Sequence, residues 1–218
     1  MEKKNRRLFL VGVGLLAAFV LWTVLVCFID VQAIGPKESS VGFATLNGYV
    51  HNLTGVNMYL YVITDWLGLV PIGVAFGFAV LGLVQWVKRK SLLKVDKSVL
   101  ALGGVYIIVM AVYLLFEMVV INYRPVLING YLEASYPSST TMLVMCVMPT
   151  AIIQFRTRIK NDLLRRCVMH TITVFIAFMV IGRFVSGVHW ITDIIGGALF
   201  STGIVLMYYS ISNIVTKN

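Results

Sequence analysis

The sequence predicts an all-α membrane protein, a bundle of six transmembrane helices with a short interfacial helix after the first span. Three observations carry this. Hydrophobic residues make up 59% of the 218 positions and charged residues only 12%, against roughly 25% charged in a soluble domain. The apolar residues fall into runs close to the ~20 needed to cross a bilayer. The basic residues gather in short segments between those runs, the pattern that orients a membrane protein. Residues 1–218 therefore read as one six-span domain.

The first span is expected at about 8–29, after the basic start Lys3, Lys4, Arg6 and Arg7. A signal peptide with cleavage near Ala33 is the rival reading. Its apolar region is normally about 7–15 residues, and this run is longer, which favours a retained helix. Residues 31–55 form the longest polar connection, yet Phe43, Leu46, Val50 and Leu53 recur at helical spacing. That predicts a short helix lying in the membrane interface, with His51 as an interfacial polar residue. Asn52-Leu53-Thr54 matches a glycosylation sequon by pattern alone.

The second span is expected over about 56–87, with Asp65 and Trp66 as an interface anchor and a kink near Pro71 and Gly73. The third covers about 99–121 and carries Glu117. The fourth runs over about 140–155, the fifth over about 167–186 with Arg183, and the sixth over about 189–212. A six-span arrangement puts 15 of the 18 Lys and Arg residues on one side, Lys217 among them, leaving Lys37, Arg124 and Arg183. The excess of basic residues makes that side cytoplasmic and both termini internal.

The charge of +9 does not point to nucleic acid, because the basic residues flank apolar spans where they set orientation. Cys27, Cys146 and Cys167 all lie in apolar runs and read as small core residues rather than a disulfide or metal framework.

Arg124 and Arg183 stand apart from the cytoplasmic clusters, at the opposite ends of their helices. An arginine near the apolar zone is costly unless it snorkels or meets an anion. His189 and Asp193 are four apart, one turn if the sixth helix has begun. A carboxylate beside an imidazole fixes its tautomer, leaving the other nitrogen free to attack phosphorus. Arginines supply paired donors for phosphate oxygens. Ser138 and Ser139 fall at the expected amino end of the fourth helix, where unpaired N–H groups suit a phosphate. Gathered on one side, this set points to phosphoryl chemistry.

The stretch Gly182-Arg183-Phe184-Val185-Ser186-Gly187-Val188-His189-Trp190-Ile191-Thr192-Asp193 resembles the third signature of the type 2 phosphatidic acid phosphatase family. Arg124-Pro125 resembles the end of the first signature, and Pro137-Ser138 the start of the second. The resemblance implies a phosphatase-like core over about 56–212. It makes His189 the nucleophile, phosphorylated in the reaction and supported by Asp193, while Arg124, Arg183 and Ser138 bind the phosphate. It implies lipid phosphate or pyrophosphate substrates, a polyprenyl carrier leading, and catalysis without metal or cofactor.

Two positions depart from the pattern. The first signature usually opens with lysine where this chain has Glu117, and the second has histidine where this chain has Thr140. Glu117 has two readings, a replacement acid or a partner that holds an arginine. Threonine cannot protonate a leaving group, and general acid catalysis is typically worth about 10²–10⁴-fold. The phosphate leaving from a pyrophosphate needs that help less than a lipid alkoxide does. The expected activity is therefore metal-independent hydrolysis of a lipid phosphate, polyprenyl pyrophosphates preferred, at the outer leaflet of the cell membrane. The alternative is a catalytically impaired member that binds or helps translocate a lipid phosphate.

Overall fold

In the computed structural model, which describes residues 3–215, eight α-helices and two single-turn 3₁₀ segments follow one another: α1 (Lys3–Phe28), α2 (Ala44–Thr54), α3 (Met58–Leu67), α4 (Leu69–Arg89), α5 (Lys97–Met118), α6 (Ser139–Arg158), α7 (Asp162–Val185) and α8 (Ile191–Val215). Lys217, counted above with the cytoplasmic cations, lies outside the described residues. Six helical segments are long and apolar enough to cross a membrane, with α3 and α4 together forming the second. The described residues contain only isolated β-bridges and no strand. The expected six-helix all-α class is what the chain adopts.

The helices divide by the solvent they face. About half of the most apolar stretch of α6 and of α8 is buried in protein, against less than a quarter in each of the other four spans. The two central helices are also less hydrophobic than α1, α3–α4 and α5. Only a helix bathed in lipid must be apolar on nearly every side. The central pair therefore has room for Ser201, Thr150, Gln154 and Asp193, all buried.

Small residues bring α1 against α8. A Cβ on Gly12 would stand 2.8 Å from the Gly203 carbonyl, and one on Gly203 would stand 3.0 Å from the Gly12 carbonyl. The backbones touch at this crossing, as small residues permit between membrane helices. Above it Phe19 packs on Phe200 with ring centroids 5.4 Å apart, and Trp22 Nε1 donates to the Thr192 carbonyl at 3.1 Å.

The second span differs in detail from the expected one. The kink anticipated at Pro71 and Gly73 is a break at Gly68, between α3 and α4. Proline lacks the N–H that would bond four residues back, and its ring crowds that carbonyl. For Pro71 the residue four back is Leu67, so α3 ends there. Pro71 then stands in the first turn of α4, where no intrahelical donor is required.

The helix expected in the 31–55 connection is α2. Leu46, Tyr49 and Leu53 are exposed, while Asn47 is fully buried and bonds the Gly42 carbonyl at 2.7 Å and Thr192 Oγ1 at 3.0 Å. One face is thus fastened to α8 and the other left apolar, as an interfacial helix requires. Of the cysteines, Cys146 is a core residue, but Cys27 is half-buried and Cys167 exposed. Cys167 is placed by the early start of α7 at Asp162 on a helix with little buried surface.

The basic clusters and the polar loops separate to opposite ends. At one end Asp96 pairs with Arg89 at 3.0 Å and Arg158 at 3.1 Å, fastening α4, the start of α5 and the end of α6 together. At the other end meet the 29–57 connection, the 119–138 loop and the short 186–190 turn.

Candidate active site

The turn between α7 and α8 is built to present His189. Gly187 has φ +66°, and a Cβ there would stand 1.8 Å from the Gly55 carbonyl. Only glycine satisfies both the left-handed backbone and that approach. Next to it Asn57 N–H donates to the Ser186 carbonyl at 2.9 Å, so the turn is held by the linker before α3. The sequence places His189 and Asp193 on one helical face. In the structure α8 begins only at Ile191, so His189 lies in the turn and Asp193 in the first helical turn. Asp193 Oδ2 accepts from Trp190 N–H at 2.9 Å. An acid in the first turn reaching back to the preceding amide is half of a capping box.

The 119–138 loop folds back on itself. Arg124 N–H donates to the Glu133 carbonyl at 3.0 Å, and Ser135 N–H donates to the Asn122 carbonyl at 2.9 Å. This pairing sets Arg124 and Ser135 on adjacent rungs above α8. Ser135 Oγ donates to Asp193 Oδ2 at 2.5 Å and lies 3.1 Å from His189 Nδ1. Asn122 Nδ2 approaches Asp193 Oδ1 at 3.4 Å. His189 Nδ1 itself is 3.8 Å from Asp193 Oδ2, outside hydrogen-bond range.

The two arginines share one ring. The guanidinium carbon of Arg183 lies 4.8 Å from the Tyr61 centroid and that of Arg124 5.6 Å. Attraction of each cation to the ring offsets part of their mutual repulsion. Arg183, only 1% exposed, is otherwise held by α3. It donates to the Tyr61 carbonyl and Thr64 Oγ1, both at 3.3 Å, and to Asp65 Oδ1 at 3.1 Å. Arg124 Nε stands 3.1 Å from Glu133 Oε2 as an ion pair without hydrogen-bond alignment.

What these groups leave unused is the informative part. Arg124 Nη1, Arg183 Nε and His189 Nε2 are buried with no hydrogen-bond partner, while Arg124 Nε faces only the Glu133 carboxylate. Buried polar atoms are almost always satisfied, so three orphans in one region mark a place for a ligand rich in acceptors. Burial, together with the positive charges of Arg124 and Arg183, holds the His189 pKa well below its ordinary value. The imidazole is thus neutral at neutral pH, with one nitrogen carrying a lone pair.

The structure therefore brings together four of the sequence-identified residues: Arg124, Arg183, His189 and Asp193. Ser138 is close but differently employed. It is the N-cap of α6, donating to Thr141 Oγ1 at 3.0 Å and accepting from Thr141 N–H at 3.4 Å, and it is fully buried. Ser139 and Thr140 occupy the first turn of α6, whose N–H groups have no intrahelical acceptor. Both line a groove of about 410 Å³ with Asp65, Leu69, Tyr113 and Leu143.

The arginine partner expected for Glu117 is absent. Among the described residues Arg124 pairs with Glu133 and Arg183 with Asp65, while Glu117 lies beside Tyr113 one turn back on α5. Its helix ends at Met118, before the chain turns toward the arginines. Glu117 instead borders a water-sized cavity with Ser135, Tyr136 and Ser139.

Sequence reading missed Ser135, Asn122, Tyr61, Thr64 and Glu133, and assigned Asp65 to the interface. The period of α3 held one usable signal. Tyr61, Thr64 and Asp65 fall on one helical face, a polar stripe within an otherwise apolar span.

The profile of the PAP2 superfamily matches residues 72–217. The fold is similar to that of the first transmembrane PAP2-type phosphatidylglycerolphosphate phosphatase from Bacillus subtilis, with a TM-score of 0.56 and 18% sequence identity over 95% of this chain and 97% of that one. A search of curated protein sequences finds no match. The profile spans most of the chain, including α5 to α8 and both loops that carry the site, and the solved structure shares the architecture from end to end. On these grounds the chain belongs to the PAP2 superfamily of membrane phosphatase fold.

Proposed function

We propose that the chain hydrolyses a lipid phosphate through a phosphohistidine, without a metal ion, at the outer leaflet of the cell membrane. The observation that carries this reading is the set of three unpartnered buried nitrogens, Arg124 Nη1, Arg183 Nε and His189 Nε2. A phosphoryl group carries the acceptor oxygens the guanidinium edges lack, and its phosphorus is the electrophile for Nε2. In the first step the Nε2 lone pair forms the P–N bond. The bond from phosphorus to the leaving oxygen breaks, its electrons going to that oxygen. In the second step water attacks phosphorus, the P–N electrons return to Nε2, and inorganic phosphate departs.

The favoured substrate is a polyprenyl pyrophosphate. Thr140 lines the groove and occupies the position at which the resembled second signature has its acid, so it leaves an alkoxide without a proton. A phosphate leaving group is stable without that proton. The groove supports a long tail. It is lined by Ser139, Thr140 and residues of α4 and α5, and it shares Tyr106 and Met110 with a second crevice of about 610 Å³ lined also by Trp86 and Val95. From Tyr113 to Val99 along α5 is about 21 Å at ~1.5 Å per residue, whereas one leaflet of hydrocarbon is about 15 Å deep. A tail longer than one leaflet fills both halves.

The outward site and cytoplasmic termini rest on the basic clusters at the opposite end of the bundle. Expected of purified protein is phosphate release from a polyprenyl pyrophosphate faster than from a phosphatidic acid, abolished in His189→Ala. Equal release by wild type and His189→Ala across mono- and pyrophosphates would reject hydrolysis and favour the binding-only reading, which the threonine at position 140 also suits.

A further inference from the structure

The sequence leads one to look for an aspartate resting directly on the histidine. The described geometry is different, and Ser135 is the reason. Asp193 Oδ2 already accepts from Trp190 N–H at 2.9 Å and from Ser135 Oγ at 2.5 Å, with Asn122 Nδ2 at 3.4 Å from Oδ1. All three approaching groups are donors, and the carboxylate oxygens accept from each of them. His189 Nδ1 is 3.8 Å from this carboxylate but 3.1 Å from Ser135 Oγ.

A hydroxyl has one proton to give and lone pairs to receive with. Ser135 gives its proton to Asp193, so toward His189 it presents a lone pair. A neutral imidazole satisfies that lone pair only if Nδ1 carries the hydrogen. Nε2 is then the bare nitrogen, and Nε2 is the ring atom that is buried without a partner. Ser135 is itself only 2% exposed.

We propose that Ser135 is the positioning residue that fixes the His189 tautomer. It transmits the acceptor demand of Asp193 to Nδ1 and so leaves Nε2 as the free lone pair. In this arrangement Asp193 acts on the histidine through the serine, while its direct contact is to the start of α8. When Nε2 bonds to phosphorus, the Nδ1 proton stays in place. The charge gained by the ring is stabilised through the hydroxyl, whose dipole is already oriented by the carboxylate. The role of Ser135 in turnover rests on the phosphohistidine reading, whereas the tautomer assignment does not.

The test uses the full chain with ¹⁵N-labelled histidine. There are only three histidines, His51, His170 and His189, so the ring signals are assignable with a His189→Gln control. Wild type is expected to show His189 as the Nδ1–H tautomer at neutral pH. Ser135→Ala is expected to show a mixture of tautomers. Its kcat should fall about 10- to 100-fold with KM within about twofold, up to the roughly 10²-fold that a misplaced reacting group costs. Ser135→Thr keeps the hydroxyl and should recover most of both. A single Nδ1–H tautomer in Ser135→Ala, or an Nε2–H tautomer in wild type, would overturn the assignment whatever the activity. Wild type with the expected tautomer but no phosphate release from any substrate would sink the hydrolase reading and leave the serine bridge standing.

Discussion

Replacing Arg183 by lysine separates charge from geometry at the centre of the site. Arginine offers five donors in a planar fork. Three of its bonds are spent on α3, at the Tyr61 carbonyl, Thr64 and Asp65, and Nε is left over. Lysine keeps the charge but concentrates its donors at one point. An ammonium that satisfies the Asp65 side has nothing to direct at a phosphate oxygen on the Nε side. The loss is therefore about one charge-assisted hydrogen bond, roughly 1.5–3 kcal/mol. At about 1.4 kcal/mol per factor of ten, kcat/KM for Arg183→Lys should fall about 10- to 150-fold. Phosphate release measured in the same detergent with substrates of different tails should show the same factor, because the perturbed contact is to the phosphate. Asp65→Asn is the companion variant. It retains an acceptor for the guanidinium, so its loss should be smaller. A reduction of less than threefold in Arg183→Lys, or one that appears with one tail and not another, would refute the role given to the Nε edge.

Three further outcomes follow from the same geometry. His189 is held below its ordinary pKa by burial and by the two arginines, so the unfolded chain binds a proton that the folded one refuses. Its contribution to stability is present in full above about pH 6.5 and declines as pH falls below that, by up to about 1.4 kcal/mol per pH unit. Thermal unfolding of wild type against His189→Gln should show this slope, and its absence would contradict the neutral imidazole. Thr140→His should raise turnover of lipid monophosphates at least about tenfold, within the usual range for a general acid, and pyrophosphate turnover much less. Equal gains on both would show that the leaving group is not what distinguishes them. Gly103→Leu and Gly104→Leu project into open space in the inner crevice. They should slow hydrolysis of a long polyprenyl pyrophosphate while leaving a three-isoprene analogue within about twofold, and parallel loss on both would argue against a tail seated there.

Much of the architecture was legible because a bilayer imposes one-dimensional rules. A helix facing lipid must be about 20 apolar residues long, and basic residues collect at one set of ends. The six spans and the separation of the polar loops from the clusters at 88–97 and 156–166 follow from that. The second span shows the limit. Pro71 was visible, yet the break lies at Gly68 because proline acts on the carbonyl four residues before it.

The site divides in the same way. Arg124, Arg183, His189 and Asp193 were legible as charged or titratable groups in places where an apolar span or a short loop should not need them. Their partners were not. Tyr61, Thr64 and Asp65 lie outside the stretch matched by the family profile, and only the packing of α3 on α7 makes them neighbours of Arg183. Glu117 has an acidic side chain seven residues before Arg124 in sequence, and the end of α5 at Met118 keeps the two from pairing.

The sequence by itself determined the fold class, the end of the bundle where chemistry gathers, and the residue types gathered there. These depend on hydropathy and charge, which are properties of residues in order. Tertiary structure alone decided how the groups are wired. Gly187 meets the Gly55 backbone, Tyr61 offers its ring to two guanidiniums, and Ser135 occupies the gap between His189 and Asp193. Each of these is a contact between segments whose separation along the chain carries no local signal. A 3.8 Å gap that a hydroxyl bridges cannot be read from a spacing of four.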